Sequence, residues 1–176
     1  MIAIAAHQGN IAHDAIAAIA KSDGNVKNRK DALFWATQVR GSEGFDMVAP
    51  YLSDDADPQV RQHVAFALSQ SRARSAAPLL IRAANSDGDR KVRSQAWFWL
   101  AQTKAGETEN AIRTAMPREQ DRHVRDQMVF ALSQLPANRA APALISVAED
   151  KSLPREDRKK AIFWMGQMKS DLASPK

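Results

Sequence analysis

The 176-residue chain has no cysteine. That removes a structural disulfide, a cysteine nucleophile and any thiolate metal site, and it leaves the redox compartment open. Seven glycines are present, never gathered into a phosphate-cradling loop. The four histidines, His7, His13, His63 and His123, form no His-Glu pair and no HExxH set, so no metal and no cofactor is expected. No GxSxG elbow offers a serine nucleophile. Apolar runs are short, and none approaches the roughly 20 residues of a membrane-spanning helix. The opening Met1-IAIAAHQ lacks the basic front and the length of a signal peptide. The expected location is therefore cytoplasmic by default, or periplasmic had a leader been removed. No segment alternates with period two, so no sheet is expected. Catalysis has no positive support in these residues, and the chain is read as a non-enzyme.

What the chain does have is one helix written five times. The segments are Arg29-KDALFWAT-Gln38, Arg61-QHVAFALS-Gln70, Arg93-SQAWFWLA-Gln102, Arg125-DQMVFALS-Gln134 and Arg158-KKAIFWMG-Gln167. The intervals between successive glutamines are 32, 32, 32 and 33 residues. A period of that size marks a stacked-repeat solenoid, in which each unit buries its apolar face against its neighbours. Thirteen residues before each Arg stand Ile16, Val48, Leu80, Ile112 and Ile145, a second apolar ladder. Each repeat is thus a pair: an A helix, then the Arg-to-Gln B helix. The A stretches are 12–20, 45–52, 76–84, 111–116 and 140–148.

Between A and B lie turn residues such as Asp54-Asp-Ala-Asp-Pro58 and Ser86-Asp-Gly-Asp89, where Asp caps a helix start. Pro78 and Pro142 are expected in first turns, and Pro50 is expected to bend or shorten its helix. The expected array is one body over 1–176, with repeats near 10–40, 43–72, 74–104, 107–136 and 138–169. Residues 1–8 read as the remnant of a preceding B helix, with Ile4 at the Phe position and Gln8 at the Gln position. Neither end carries a polar capping repeat, so end-to-end self-association is an expectation.

Asp57-PQVRQHV64 is similar to the signature of HEAT repeats, and more narrowly to the short bacterial HEAT-like units of the phycobilisome-lyase type. Asp89-RKVRSQA96 and Asp121-RHVRDQM128 repeat it with Arg in place of Pro, while the last repeat has Asp157 where Val is expected. The resemblance covers essentially the whole chain. It implies an all-α fold, a right-handed alpha-alpha superhelix of about five helix pairs plus the partial first helix. It also implies that B helices line the concave wall of an armadillo-like array. It further implies a structural ladder between adjacent repeats, here Arg61, Arg93 and Arg125 with Asp57, Asp89 and Asp121. The role it implies is a protein- or peptide-binding scaffold.

On a helical wheel, positions one before and three and seven after the Arg form the inward stripe, as in Val60, Val64 and Leu68. Phe at plus five and Gln at plus nine share a different face. The candidate binding residues are therefore Phe34, Phe66, Phe98, Phe130 and Phe163 with Gln38, Gln70, Gln102, Gln134 and Gln167. Rings would supply contact area to a partner and amides two-way hydrogen bonding. The plainer alternative packs each Phe between neighbouring B helices. Position plus six alternates Trp35, Ala67, Trp99, Ala131 and Trp164, large beside small, as interdigitating layers require. Trp97 breaks the pattern at plus four and is expected to be partly exposed. The net charge of +5, from 25 basic and 20 acidic residues, is spread through the repeats. It reads mainly as a solvated face. A nucleic-acid partner is the alternative, resting on clusters at Arg72 and Arg74, at Arg90 to Arg93 and at Arg158 to Lys160.

Overall fold

The protein is described by a computed structural model over residues 10–39, 41–71 and 76–173. The remnant expected at 1–8 and the cluster at Arg72 and Arg74 lie outside the described residues. All the regular structure among the described residues is helical. In chain order the helices are α1 (Asn10–Ser22), α2 (Val26–Val39), α3 (Gly41–Val48), α4 (Tyr51–Asp54), α5 (Pro58–Gln70), α6 (Ala76–Ser86) and α7 (Arg90–Gln102). There follow α8 (Thr108–Ala115), a 3-10 turn at Met116–Arg118, α9 (Arg122–Ser133), α10 (Ala137–Glu149) and α11 (Arg155–Ala173). The expected helix pairs are present. Helices α2, α5, α7, α9 and α11 carry the Arg-to-Gln segments. No helix is long and apolar enough to cross a membrane among the described residues.

Two compact units are distinguished, residues 1–96 and 97–176, with the dividing line inside α7. In the first, α1 packs on α2, α2 packs on both α3 and α5, and α4 packs on α5. In the second, α9, α10 and α11 pack mutually. In each unit B helices lie directly against one another. The inward stripe holds: Val60, Val64 and Leu68, then Val92, Ala96 and Leu100, are fully buried. Each branched side chain so buried contributes about 1.5–3 kcal/mol, which is what makes a short amphipathic helix stay helical here.

The proline positions have distinct outcomes. Pro58 opens α5, where no N–H is missed. Pro78 falls in the first turn of α6. The second A helix breaks at Ala49–Pro50 into α3 and α4, because a ring in the interior removes a hydrogen bond and crowds the preceding turn. Pro142, expected in a first turn, lies inside α10, because that helix starts five residues earlier at Ala137.

The A ladder also needs one correction. Ile16, Val48, Leu80 and Ile112 are fully buried, but Ile145 is 45% exposed and Leu144 is buried in its place. The fifth repeat is one residue longer, and the extra residue lies between its A and B helices. Counting thirteen back from Arg158 therefore stops one residue short of the core position, 100° around the helix.

Candidate functional site

Each B helix begins at an aspartate that caps it. Asp57 accepts from the backbone N–H of Gln59 at 2.7 Å, Asp89 from Lys91 and Val92 at 2.8 and 3.1 Å, and Asp121 from His123 and Val124 at 2.8 and 3.2 Å. A carboxylate there satisfies free donors and suits the positive end of the helix dipole. These three were the expected acceptors of the arginine ladder, and the structure corrects that at two turns: the acceptors are Asp55 and Asp87, two residues before Asp57 and Asp89. Arg29 donates Nε and Nη2 to Asp55, both at 3.3 Å, and Arg61 donates the same pair to Asp87 at 2.8 and 2.9 Å. Asp55 and Asp87 face the preceding repeat, and each accepts a backbone N–H of its own turn as well as the arginine. Each ladder Arg also donates Nη1 to the carbonyl six residues before it: Asp23, Asp55, Asp87 and Glu119, for Arg29, Arg61, Arg93 and Arg125. The guanidinium thus ties its own turn and, for Arg29 and Arg61, the turn of the next repeat.

The ladder survives the inserted residue by a change of acceptor. Seven residues after Ile16, Val48 and Leu80 come Asp23, Asp55 and Asp87, but seven after Leu144 comes Lys151. Arg125 instead meets Asp157, at 2.7 Å, in the position where α5, α7 and α9 carry Val60, Val92 and Val124. Asp157 is 1% exposed, and its Oδ1 has no hydrogen-bond partner. A second clamp holds the turn before α8, where Lys104 has the left-handed backbone (φ 56°). Arg139 donates to the carbonyls of Lys104 and Ala105 at 2.8 and 2.6 Å and pairs with Glu109. Its guanidinium holds the Glu109 carboxyl below the usual glutamate range.

On this frame the Phe stripe is half open. Phe34, Phe66, Phe98 and Phe130 are partly exposed, and Phe163 is 55% exposed. The rings are also paired. Phe34 and Phe66 stack with centroids 5.7 Å apart and planes 5° from parallel. Phe98 and Phe130 stack at 6.0 Å and 2°. Trp35 and Trp99 each meet the preceding Phe edge-on, at 5.3 and 4.7 Å. Trp164 meets Phe163 edge-on and lies 5.0 Å from Phe130. Each ring therefore meets a neighbouring ring and remains at least partly exposed. Such pairs contribute about 0.5–1.5 kcal/mol beyond the area they bury.

All five glutamines are exposed. Gln70 and Gln134 donate to the hydroxyls of Ser69 and Ser133 at 3.2 Å, and those hydroxyls donate to the carbonyls of Phe66 and Phe130. Beside the stripe, His63 sits 6.0 Å from Phe34 and 5.8 Å from Phe66, with Nε2 buried and unpartnered. Burial lowers its pKa, and the charge of Lys30 adds to this. Sequence reasoning passed His63 over because its position carries Asp31, Gln95 and Gln127 in other repeats, with no shared chemistry to notice.

Trp97 does not join the face. It is fully buried, contrary to expectation. Position plus four carries Leu33, Ala65 and Val129 in other B helices, all fully buried, so the indole fills a core site. The basic clusters are partly consumed by structure as well. Arg90 and Lys91 are exposed, whereas Arg93 bonds the Asp87 carbonyl and Arg158 has its Nε buried. A groove of about 460 Å³ lies along the turns of the first unit, between Ser53, Asp54, Asp55, Arg82 and Asp87. It is separate in sequence from the Phe and Gln positions.

The family model for HEAT repeats matches residues 14–97 and, overlapping them, 78–166. No curated protein matches the chain.

Proposed function

The chain belongs to the HEAT-repeat family, and from that premise we propose that it is a non-catalytic scaffold that binds a protein or peptide on the face formed by its B helices. The observation that carries this reading is the pair of stacked, partly exposed phenylalanine rings in each unit, on helices that end in exposed glutamines. Pre-stacked rings lose little freedom when a partner covers them, so more of the contact energy appears as affinity. Amides that both donate and accept suit an extended backbone or a polar helix face. Within each unit the repeat spacing presents the same pair of groups at successive B helices, which matches a linear partner better than a small molecule.

The test is capture of partners from the native host with wild-type protein and with Gln70→Ala, Gln102→Ala and Gln134→Ala combined. These side chains are exposed, so the melting temperature should hold while capture falls. An unchanged set of captured proteins at equal stability would remove the face from consideration. A nucleic-acid role rests on Arg90, Lys91 and Lys159, the exposed members of the basic clusters described. Retention on duplex DNA at low salt, lost steeply as salt rises, would favour it instead.

A further inference from the structure

In the second unit, α9 packs on α11, and the residue just after the Arg of α9 meets the residue two after the Arg of α11. These are Asp126 and Lys160, an ion pair at 2.7 Å. In the first unit α2 packs on α5, and the same two positions hold Lys30 and His63. Two bases stand where the other unit has an acid and a base. Neither is satisfied within the unit. Among the described residues no carboxylate pairs with Lys30, and Asp31 beside it is taken by Lys27 at 2.8 Å. His63 has its Nε2 buried without a hydrogen-bond partner. Burial first and the charge of Lys30 second lower the imidazole pKa, against an opposing pull from Asp31. Helix α5 also packs on α3, α4 and α6, but the charges acting on the imidazole are those of the two α2 residues. Both bases border the stacked rings. His63 lies 6.0 Å from Phe34 and 5.8 Å from Phe66, and Lys30 stands four residues before Phe34, on the same face of α2.

We propose that the B-helix face of the first unit takes a carboxylate from its partner, an acidic side chain with an apolar neighbour, and that Lys30 and His63 hold the acid while Phe34 and Phe66 take the apolar group. This rests on the scaffold reading above and names the chemistry of the partner at one point of that face. The incoming carboxylate does for Lys30 and His63 what Asp126 does for Lys160. Two features select it. Adjacent bases repel when both are charged, and an anion between them removes that cost. The partly exposed rings beside them offer apolar area, so a ligand that is both anionic and apolar gains more than either kind alone. A signature follows. The imidazolium is disfavoured in the free protein and favoured beside a carboxylate, so binding takes up a proton and tightens as pH falls.

The probe is hydrocinnamate, a carboxylate carrying one aromatic ring, with hydrocinnamide as its neutral counterpart. Each is titrated into the full chain with isotope-labelled histidine and followed by NMR. The His63 signal is identified by its loss in His63→Gln, which installs the residue found at this position in α7 and α9. Hydrocinnamate should move that signal, raise its titration midpoint and bind more tightly at about pH 6 than at about pH 8. Lys30→Gln should weaken it roughly fivefold, the worth of one partly exposed charge pair, and the amide should be weaker than the acid by at least as much. His63→Gln should remove the pH dependence. Circular dichroism of both variants should match wild type, which separates a lost contact from a lost fold. Equal binding of acid and amide overturns the proposal but leaves the scaffold reading standing, because the rings would still take a ligand. A His63 signal that ignores hydrocinnamate overturns it, and so does acid binding that neither substitution changes. The scaffold reading fails separately, by unchanged capture in the glutamine variant.

Discussion

Two aspartates in one turn, Asp87 and Asp89, should differ sharply in what they are worth. Asp87 takes two charge-assisted bonds from Arg61, at 2.8 and 2.9 Å, and its side chain is 6% exposed against 14% for the arginine. Breaking a pair so enclosed strands a guanidinium away from water, a loss of about 3–5 kcal/mol. Arg61 keeps its carbonyl bonds to Asp55 and Ala56, which places the cost toward about 3. Asp89 caps α7 from the solvent side, and loss of such a cap costs about 1 kcal/mol. Urea denaturation of Asp87→Ala and Asp89→Ala should therefore show the first to be about three times as damaging. Arg61→Ala should cost more than Asp87→Ala, because it also removes the bonds to the Asp55 and Ala56 carbonyls, and the double variant should be far from additive, because both changes remove the same pair. Equal losses from the two aspartates, or an additive cycle for Arg61 and Asp87, would refute the assignment of the ladder to Asp87.

Other consequences follow from the same geometry. Asp157→Val installs the residue found at Val60, Val92 and Val124 but leaves Arg125 without its carboxylate; a loss of about 2 kcal/mol is expected in denaturant melts, moderated by the Glu119 and Gln120 carbonyls that Arg125 retains. Combined with Arg125→Leu, much of that loss should return. Trp97→Ala should cost about 3–5 kcal/mol as a core cavity, and Trp97→Phe should remove the fluorescence component that iodide cannot quench. His63 titrates below its ordinary 6.5 because burial disfavours the imidazolium. The unfolded chain then binds the proton more readily, so this contribution to stability is complete above about pH 6.5 and is lost as pH falls toward the lowered native value. His63→Gln should flatten the melting temperature across that window.

The repeat made most of the fold legible. A strict 32-residue spacing placed the A and B helices and the inward stripe, because tandem packing forces the same residue to face the same neighbour each time. The errors cluster where repetition was trusted too far or left unread. Leu144 replaced Ile145 because a single inserted residue lies between the helices the count spanned. The family resemblance placed rungs at Asp57 and Asp89, which cap their own helices. Asp55 and Asp87 recur at the same spacing, and only the direction of each carboxylate separates cap from rung. Trp97 looked anomalous by size, yet its position was already a core position in every helix where Leu33, Ala65 or Val129 stands. The Phe stripe could not be resolved by pattern alone, since a ring that packs on one side and opens on the other has the same spacing as either extreme.

The most direct test of the binding face is photo-crosslinking in the native host. A photoreactive amino acid would be placed at Gln70 or Gln134 on the B helices, and at the exposed Arg82 or Ser146 on A helices as controls. The account predicts discrete partner adducts from Gln70 and Gln134, competed away by excess unlabelled protein, and none from Arg82 or Ser146. Adducts from the A-helix positions alone would contradict it.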